Sequence, residues 1–548
     1  MTWRVFSVLL ALCIVPVLDP AEARVWHVDC DRGSDSASGS ETEPFKTILR
    51  ASNVLKPGDT VVIREGVYHE QIVGGNSGQE GAPITYEGMD RGKVVMQGSV
   101  RVKDWQQSEK VWTKGGLKPI TQQNSFVMVD EKRMLKKVDS ASQADRGCFH
   151  LAPDGVYTIR LWEDSNPNTD HDIDVYEYDF AFNSGDRWDG TAKKWIILRN
   201  MTLEKYGVNG ISTDAEHPAD NSRWELDRLT VRFNRAEGIF YCLDDWYVHD
   251  CEFIRNGVHG CQINGARVRF FNNLCAENEW FGVSGDGGCG LLIGPDDSAH
   301  SSDVSNNVFA DNGDGLGYGC GVYLEGRARN NLIHGNQISG GTSAGICFFG
   351  SSHNRVVNNV IVNVAPQTDW ENAAAFVLHH SLEGAPTKPT GNLIAHNTVW
   401  GCPSPVFVED PGVILEKKDY NRFVNNLFAM CRFLSPIPGS PGVTFDSNAW
   451  YGCPDGEKID LSAVKKWLKG FAPVTDRSGA NDLDSNPVIV ADPVLQDTSR
   501  GNFRPGPDSP LIDAGANLGE ISRDKDGNLR PVGSGPDIGA YEVVPERK

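Results

Sequence analysis

The chain has 548 residues, and 73 acidic against 52 basic side chains give it a formal net charge of −21 at pH 7. This balance excludes a nucleic-acid-binding protein, because contact with a phosphate backbone requires a basic face. It also disfavours direct contact with a strongly anionic polysaccharide, unless Ca²⁺ or a local cluster of Arg and Lys mediates that contact.

The first 23 residues predict an export signal. Arg4 supplies the positive end, residues 5–17 form a short apolar core, and Ala21 and Ala23 fit the small-x-small rule for cleavage. The apolar core is too short to span a bilayer, and nothing later in the sequence is long enough. We therefore expect a protein that is secreted, periplasmic or held at the cell surface, cleaved near Ala23 and without an integral membrane segment.

Residues 24–99 are expected to form an N-terminal cap and the first coils of the fold. Residues 44–55 within them predict an amphipathic helix, with Ile48 and Leu55 on its apolar face, that covers one open end of the structure. Residues 100–194 predict a β-rich insertion of short hairpin strands. The sequence leaves open whether this insertion overhangs a groove or packs on the side.

A short motif recurs through residues 195–435, in which Asn lies among apolar residues. Its clear copies contain Asn200, Asn273, Asn307, Asn359, Asn397 and Asn426, and its weaker copies contain Asp227, Asp250 and Asn336. The intervals run from 23 residues (Asp250 to Asn273) to 38 residues (Asn359 to Asn397). A period of this size is typical of a solenoid, and the Asn side chains are expected to stack in a hydrogen-bonded ladder.

Each repeat also contains a short apolar run that opens with a small residue or a proline. Examples are Gly290-Leu291-Leu292-Ile293, Gly321-Val322-Tyr323-Leu324 and Gly345-Ile346-Cys347-Phe348. These runs are too short for helices and rich in β-branched and aromatic residues, so they predict strands. Two or three such strands in a coil of about 23 residues predict a parallel β-helix of about ten coils.

The repeats resemble the secreted right-handed parallel β-helix proteins of the pectin-lyase-like superfamily. This resemblance implies an all-β, right-handed parallel β-helix solenoid with an N-terminal helical cap and a small β insertion. It also implies a polysaccharide or oligosaccharide substrate, because that superfamily holds polysaccharide lyases, glycoside hydrolases and epimerases beside catalytically silent members.

Residues 436–548 lack the Asn motif and are expected to form C-terminal coils and an irregular tail. Like residues 24–99, they resemble a terminal segment of many exported β-helix proteins. Within them, Asp524-Lys525-Asp526-Gly527-Asn528 begins like a Ca²⁺-binding loop, but Gly533 stands where the closing Glu is needed. The sequence therefore favours a structural turn.

Alternate side chains of a strand point to opposite faces, which gives the repeats a register. Counted from the residue that opens each run, positions +1 and +3 are mostly apolar and are expected to face the core, so positions +2 and +4 face outward. The outward positions and the polar residues after them supply the candidates for catalysis, Glu325, Asp296, Asp297 and His379, and for substrate binding, Tyr323, Gln262, Asn264, Phe349, His353, His380 and Glu409.

Glycoside hydrolysis is the function we expect first. Two carboxylates must flank the scissile bond, and Asp296 or Asp297 lies one coil from Glu325. Glu325 is the candidate general acid, because aromatic neighbours such as Tyr323 reduce the polarity around it. One of the two aspartates is then the nucleophile or base, and His379 orients the substrate. This reaction requires no cofactor, and we assign no metal to it.

Two other functions stay open. A lyase that acts on a uronate-containing glycan would use His379, His353 or Tyr323 as base and acid. Ca²⁺ is a possible cofactor of that reaction, held by acidic residues such as Asp286 and Asp314, but the outward column offers no Lys or Arg to assist. The third function is a non-catalytic carbohydrate-binding or surface solenoid, since the fold alone specifies no activity. In each case we expect a monomer.

Two cysteine pairs follow from the repeat alignment. Cys289 and Cys320 both precede the Gly that opens a run, and Cys402 and Cys431 both lie five residues after a ladder Asn. Neighbouring coils are about 4.8 Å apart, which is within the range of a disulfide. We expect both pairs to be direct neighbours, either as disulfides or as stacked buried thiols.

Overall fold

The structure, a computed structural model, describes most of the chain. The described residues are 23–117, 125–184, 193–213, 222–280, 287–294, 298–313, 319–341, 343–364, 373–379, 388–408, 419–431, 442–452 and 486–545. The predicted export signal at residues 1–23 therefore lies almost wholly outside them. In the described parts, no helix has the length and apolar character needed to cross a membrane.

Three long parallel sheets wind around one core, which confirms the predicted right-handed parallel β-helix. The described strands of sheet 1 are Val25–Val28, Thr60–Ile63, Ile84–Gly88, Ile196–Arg199, Glu225–Asp227, Tyr247–His249, Arg269–Phe271, Asp303–Ser305, Leu332–His334, Arg355–Val357, Leu393–Ala395, Asn421–Val424 and Val443–Asp446. Those of sheet 2 are Gly66–Tyr68, Val94–Gln97, Thr202–Glu204, Thr230–Arg232, Glu252–Ile254, Leu274–Ala276, Val308–Ala310, Gln337–Ser339, Val360–Val362, Thr398–Trp400, Leu427–Ala429, Ala449–Tyr451 and Val488–Ile489.

Sheet 3 is shorter and forms the third side of the coils in which it is described. Its described strands are Ile72–Val73, Phe180–Asn183, Asn209–Ser212, Ile239–Cys242, Cys261–Ile263, Cys289–Ile293, Cys320–Glu325, Ala344–Phe349, Ala374–His379 and Ser404–Val408. The predicted alternation holds, since residues such as Val322, Leu324, Ile346 and Phe348 all lie in the main core.

The Asn motif forms the corner between sheets 1 and 2. Asn336 donates from Nδ2 to Oδ1 of Asn359 at 2.9 Å and to the carbonyl of Val304 at 2.9 Å. Its own Oδ1 accepts from Nδ2 of Asn307 at 2.9 Å. The same bonds continue through the later coils, at Asn359, Asn397, Asn426 and Asn448. The ladder thus satisfies buried backbone groups that the corner removes from the sheets.

A second feature explains why many copies of the motif carry two consecutive Asn. The residue before the ladder Asn has a positive φ, for example 55° at Asn306, 57° at Asn358 and 57° at Asn425. Asn tolerates this left-handed conformation better than most residues with a side chain. The first Asn therefore makes the turn and the second makes the ladder.

The first coils depart from the prediction. Leu229 and Cys251 occupy the ladder position there, because the backbone N–H of Cys251 donates to Oδ1 of Asn273 at 2.9 Å and that of Leu229 donates to Sγ of Cys251 at 3.4 Å. The assignment of Asp227 and Asp250 to the ladder was wrong by two residues and one residue respectively. Asp227 ends a strand of sheet 1 instead. The assignment of Asn200 was also wrong by one residue, because Asn200 has a φ of 56° at the turn position and the pairing of Thr202 with Thr230 aligns Met201 with Leu229.

Two further Asn ladders, not predicted, stabilise the other corners. Between sheets 2 and 3, Nδ2 to Oδ1 bonds of 2.9–3.1 Å join Asn234, Asn256, Asn278 and Asn312. Between sheets 3 and 1, similar bonds of 2.8–3.1 Å join Asn331, Asn354, Asn392 and Asn421. All three corners of the coil are therefore held by the same type of bond.

The N-terminal helix spans Ile48–Ser52, which is shorter than the predicted residues 44–55. The carboxylate of Asp35 accepts the backbone N–H groups just before the helix, and that of Glu70 accepts those of Ile48 and Leu49 at 2.9 Å each. Ile48 and Leu55 belong to the main core, so the segment covers the end of the core.

The insertion forms two small sheets with a core of their own. One contains the strands Arg133–Met134, Val127–Val129, Ile173–Tyr176 and Ser99–Val102, and the other contains Lys136–Lys137, Cys148–Leu151, Tyr157–Arg160, Val111–Lys114 and Gln106–Ser108. A 3₁₀ turn spans Ala141–Gln143. The insertion is joined to the β-helix by the buried Lys205, whose Nζ lies 2.6 Å from Glu131 and 3.1 Å from Asp174.

The C-terminal segment packs on sheets 1 and 2 of the later coils. It contains the hairpin of Leu495–Asp497 and Asn502–Pro505 around a 3₁₀ turn at Thr498–Arg500. Ile521 packs against Val357 and Ala395. Asp524 accepts backbone N–H groups of Asn528 at 2.7 Å and Glu542 at 2.8 Å. These bonds fit the structural turn that the sequence favoured over a Ca²⁺ loop.

The cysteines of sheet 3 are neighbours, as predicted. Cys289 and Cys320 are register partners on adjacent coils, and burial raises the pKa of both thiols well above the usual range. Cys402 and Cys431 each lie two residues beyond the register partners Trp400 and Ala429. The described cysteines are present as thiols, which is the second of the two alternatives left open.

Asn336→Leu is expected to lower the free energy of unfolding by about 3 kcal/mol or more. The change leaves the amide of Asn307 and the carbonyl of Val304 without their partners, and each buried unsatisfied group costs about 1–3 kcal/mol. The urea midpoint measures this loss. Gln337→Ala, at the exposed neighbouring position, is the control and is expected to change stability by less than about 0.5 kcal/mol. Equal midpoints for the two variants would contradict the role of the ladder.

Candidate functional site

The connections before and after the strands of sheet 3 are longer than the connection between sheets 1 and 2. Two residues separate strand Leu332–His334 of sheet 1 from strand Gln337–Ser339 of sheet 2. In contrast, residues 363–373 precede the sheet 3 strand Ala374–His379, and residues 380–392 follow it. Insertions gathered on one face of a repeat protein often mark the binding face. The outer face of sheet 3 is therefore the candidate site.

Three predicted residues lie side by side on this face. Glu325 is the register partner of Phe349, and Phe349 is the register partner of His379. The rings of Phe349 and His379 stack with centroids 5.1 Å apart and an interplanar angle of 29°. All three side chains are partly exposed. The fold thus places a carboxylate and two stacked rings on three successive coils.

Tyr323 extends this stack on the coil of Glu325. Its ring lies 5.8 Å from that of Phe349, at an interplanar angle of 29°. Burial, with a further contribution from the nearby charges of Cys347 and Glu325, raises the pKa of Tyr323 far above the usual range. The phenol therefore stays protonated at any working pH and is a hydrogen-bond donor beside Glu325.

An apolar layer lies on the outer side of sheet 3, next to the ring stack. It consists of Cys289, Cys320, Ala344, Cys347, Ala374 and Val377, with Tyr323 and Phe407 packed against it. Each of the six buried members is at most 7% exposed. Sheet 3 is thus buried on both faces at this level, which explains its nearly continuous hydrophobic sequence. Glu325 and His379 are the last residues of their strands.

The other described candidates are distributed around this layer. Gln262 is 6% exposed and donates from Nε2 to the carbonyl of Gly294 at 3.2 Å, and Asn264 is 1% exposed. Support of the strand ends is the role that fits such burial, while direct contact with a substrate stays a prediction. His353 is exposed in the turn that leads from sheet 3 to sheet 1, where its ring lies against Gly391. The structure does not bring His353 into the column of Glu325.

Four of the predicted site residues lie outside the described residues. They are Asp296, Asp297, His380 and Glu409. Asp296 and Asp297 follow the strand Cys289–Ile293, and His380 directly follows Ala374–His379. Their assignment to the site stays a prediction.

Sequence reasoning missed two ionisable residues at the other end of the same face. Glu237 and His259 each stand directly before the Gly that opens a strand, on neighbouring coils, since the N–H of Gly238 donates to the carbonyl of His259 at 3.0 Å. Nδ1 of His259 accepts from the backbone N–H of Cys289 at 3.1 Å. Burial raises the pKa of Glu237 to about 7, despite the nearby charge of Arg235. The sequence signal that could have found both residues is their position directly before the Gly that opens each apolar run.

The insertion borders this end of the face. The guanidinium of Arg235 lies 4.8 Å from the ring centroid of Phe126, and the hydroxyl of Tyr176 donates to the carbonyl of Phe233 at 2.8 Å. Trp280, two coils further along the β-helix, belongs to the same apolar contact. The insertion therefore stands at the corner between sheets 2 and 3, beside Glu237.

A group of potential metal ligands lies on another face of the β-helix. Among the described residues, the group that has a geometry suitable for a metal ion is Glu225, Asp227 and His249, and it lies on sheet 1. Hydrolysis on sheet 3 was predicted to need no metal.

Comparison with known proteins gives partial sequence matches and an extensive structural match. The profile of the family described as periplasmic copper-binding protein (NosD) matches residues 246–432, and that of chondroitinase B matches residues 43–138. The uncharacterized protein YwoF of Bacillus subtilis (strain 168) is 42% identical over 66 residues, which are 12% of this chain and 14% of that protein. This chain thus aligns with a small part of its curated relative.

The structure of XylC in complex with xylose is similar over nearly the whole chain. It superposes with a TM-score of 0.60 at 13% identity, over 95% of this chain and 98% of that one. A glycoside hydrolase (TM-score 0.41, 12% identity, 79% and 94% of the two chains) and pectate lyase Pel9A (0.37, 15%, 95% and 97%) are more distant. The fold is that of the pectin-lyase-like parallel β-helix proteins. At these identities the likeness of the β-helix concerns the fold alone.

The raised pKa of Glu237 predicts a specific pH dependence of stability. Between pH 4.5 and 7 the folded β-helix holds a proton on Glu237 that the unfolded chain releases, so the free energy of unfolding contributed by this group falls as pH rises. Glu237→Gln removes this pH-dependent loss of stability, because glutamine does not titrate. The variant should gain about 1–3 kcal/mol over the natural protein between pH 4.5 and pH 8, since one pKa unit corresponds to about 1.4 kcal/mol.

Urea midpoints of both proteins at the two pH values measure this gain. Glu80→Gln, which removes an exposed carboxylate, is the control for the loss of one charge and is expected to show no such gain. A constant difference between Glu237→Gln and the natural protein at both pH values would contradict the assignment of a raised pKa to Glu237.

Proposed function

We propose that this protein is an exported carbohydrate-active enzyme that cleaves a polysaccharide or oligosaccharide by hydrolysis on the outer face of sheet 3. The observation that carries the proposal is the ring stack of Tyr323, Phe349 and His379 beside the carboxylate of Glu325. Aromatic faces bind the apolar faces of sugar rings. A row of rings along the β-helix axis suits a chain of sugars, and a carboxylate beside it suits general acid catalysis.

Glu325 acts in this proposal as the general acid that protonates the leaving-group oxygen. The phenol of Tyr323, which stays protonated, donates a hydrogen bond to the substrate or to Glu325. Asp296 or Asp297 supplies the second carboxylate, as nucleophile or as base for the attacking water. His379 orients the sugar that stacks on Phe349. The similarity to XylC with xylose supports a sugar ligand for this fold, and the predicted signal supports export.

The composition of sheet 3 favours hydrolysis over elimination. A lyase that acts on uronates must neutralise the substrate carboxylate and remove a proton, usually with cationic or metal groups. None of the described strands of sheet 3 contains Lys or Arg, and the described candidate for a metal ion lies on sheet 1. The described strands of sheet 3 therefore offer few of the charges that elimination needs.

Glu325→Gln is expected to lower kcat about 10²- to 10⁴-fold, the usual contribution of a general acid. Reducing-sugar release from a panel of neutral and acidic glycans measures the loss, and absorbance at 235 nm detects the unsaturated products of elimination. Glu277→Gln, at the corner after the sheet 2 strand Leu274–Ala276, is the matched control and is expected to retain full activity. Full activity of Glu325→Gln, or products that absorb at 235 nm, would refute the proposal.

Phe349→Ala separates binding from chemistry. Loss of the ring removes one stacking surface for sugar, and an aromatic contact of this kind is worth about 0.5–1.5 kcal/mol. KM is expected to rise about three- to tenfold while kcat changes little. The control is Phe445→Ala on the inner side of sheet 1, which removes core packing and should lower stability without a selective change in KM. An unchanged KM for Phe349→Ala would show that the ring stack does not bind the substrate.

A further inference from the structure

Two neighbouring strands of sheet 1 bring three potential metal ligands together. Glu225 and Asp227 are two residues apart in strand Glu225–Asp227, so both side chains point away from the core. The next strand, Tyr247–His249, pairs with it so that His249 is the register partner of Asp227. One ligand atom of each side chain lies within 4.8 Å of the other two. The group is on a different sheet from the proposed glycan site.

Two atoms of this group are buried and make no hydrogen bond with the described residues. They are Oδ1 of Asp227 and Nε2 of His249. Asp227 is only 4% exposed, and its Oδ1 is directed at His249, 3.7 Å from Nδ1. A buried carboxylate oxygen without a partner costs about 1–3 kcal/mol or more. A cation between these side chains removes that cost.

A second carboxylate prepares His249 for this role. Nδ1 of His249 lies 2.8 Å from Oδ2 of Asp250. When Nδ1 donates its hydrogen to Asp250, Nε2 carries the lone pair, and Nε2 faces Glu225 with 3.7 Å between Nε2 and Oε1. Histidine ligands of metals usually have such a carboxylate on the other ring nitrogen.

The neighbouring side chains fix the ring and leave negative charge at the site. His249 stacks on Phe271 with ring centroids 5.1 Å apart and an angle of 14°. Arg228 pairs with Oδ2 of Asp227 at 2.7 Å and leaves Oδ1 available, while Arg199 pairs with Glu87 at 2.6 Å. Glu225, Asp227 and Asp250 carry three negative charges against one from Arg228, which favours a divalent cation.

We propose that Glu225, Asp227 and His249 form a binding site for a divalent first-row transition ion of the Zn²⁺ type. One imidazole and two carboxylates are ligands of borderline metals, whereas Ca²⁺ and Mg²⁺ prefer oxygen ligands alone. Three protein ligands leave a coordination position for water or for a ligand. That position is accessible, because the side chain of Glu225 is 38% exposed.

A surface cavity of about 380 Å³ adjoins the site on the side of Glu225 and Tyr247. Trp195, Arg223 and Asp245 are among its other lining residues. The described part of the C-terminal segment packs on sheet 1 at later coils, around Val357 and Ala395. The metal site therefore faces an open pocket with an aromatic and a cationic wall.

Metal binding to the intact protein, produced without a polyhistidine tag and stripped with a chelator, tests the proposal. Calorimetric titrations with Zn²⁺, Mn²⁺ and Ca²⁺ are expected to show one equivalent of Zn²⁺ bound more tightly than Ca²⁺. Co²⁺ should give visible absorption bands of a site with mixed nitrogen and oxygen ligands. Asp227→Asn and His249→Gln should each weaken Zn²⁺ binding at least about 100-fold, and Asp250→Asn about 10- to 100-fold.

The control pair is Asp303 and His334 on the same sheet. Oδ1 of Asp303 lies 3.1 Å from Nε2 of His334, and no third ligand joins them among the described residues. Asp303→Asn is therefore expected to leave Zn²⁺ affinity unchanged. Circular dichroism verifies the fold of each variant, and Glu225→Gln, at a more exposed position, replaces any variant that fails to fold.

Failure to bind Zn²⁺, tighter binding of Ca²⁺ than of Zn²⁺, or Zn²⁺ affinity that survives both Asp227→Asn and His249→Gln would overturn the proposal. In those cases His249 is an ion-pair partner of the surrounding carboxylates. Because the measured quantity is metal affinity, the result is independent of glycan cleavage on sheet 3.

Discussion

The register between successive coils is the constraint on which this structure depends. Three Asn ladders at three corners set it. In the ladder between sheets 1 and 2, Asn336 bonds both the next amide, that of Asn359, and the strand carbonyl of Val304. Those bonds are short and buried, so a coil cannot slide against its neighbour without leaving polar groups unsatisfied. Residues 22 to 38 positions apart in sequence are thereby held as neighbours at about the spacing of sheet strands.

This constraint lets the loops vary while the columns stay aligned. Insertions occur where sheet 3 begins and ends, and they leave the pairing of Glu325, Phe349 and His379 unchanged. Sheets 1 and 2 have short connections to each other and receive the C-terminal segment at later coils. The molecule therefore has two outer surfaces of different character. One is an apolar layer with rings and a carboxylate at its edge, and the other is a polar strip with the carboxylates and imidazole of the proposed metal site.

The sequence was informative wherever one residue type had one structural use. Asn repeated from Asn273 onward predicted the corner between sheets 1 and 2, and the alternation at Val322 and Leu324 predicted which side of sheet 3 faces the core. It was misleading where other side chains took the same place. Leu229 and Cys251 fill the ladder position in earlier coils. Because an acidic residue lies near that position, Asp227 was wrongly aligned with the ladder Asn.

That misalignment also hid the polar group on sheet 1. The predicted alignment placed Asp227 in the buried corner, whereas the structure places it two residues earlier, on a strand beside His249. The pattern within a single strand gives no information about which strand pairs with it. Glu237 was missed for a related reason. Its pKa depends on burial and on the charge of Arg235. Arg235 in turn lies over Phe126 of an insertion whose position the sequence did not specify. The local sequence pattern thus predicts well which residues repeat at the same position of successive coils. It predicts poorly which residues of other coils or of the insertion are their neighbours.

The most direct test of the central claim, that glycan is bound and cleaved on the outer face of sheet 3, is a crystal structure of the Glu325→Gln variant with a bound oligosaccharide. We predict sugar rings stacked on Phe349 and His379, with a glycosidic oxygen within hydrogen-bond distance of the side chain at position 325. An oligosaccharide bound on sheet 1 beside Trp195, with the ring stack of sheet 3 unoccupied, would contradict the account.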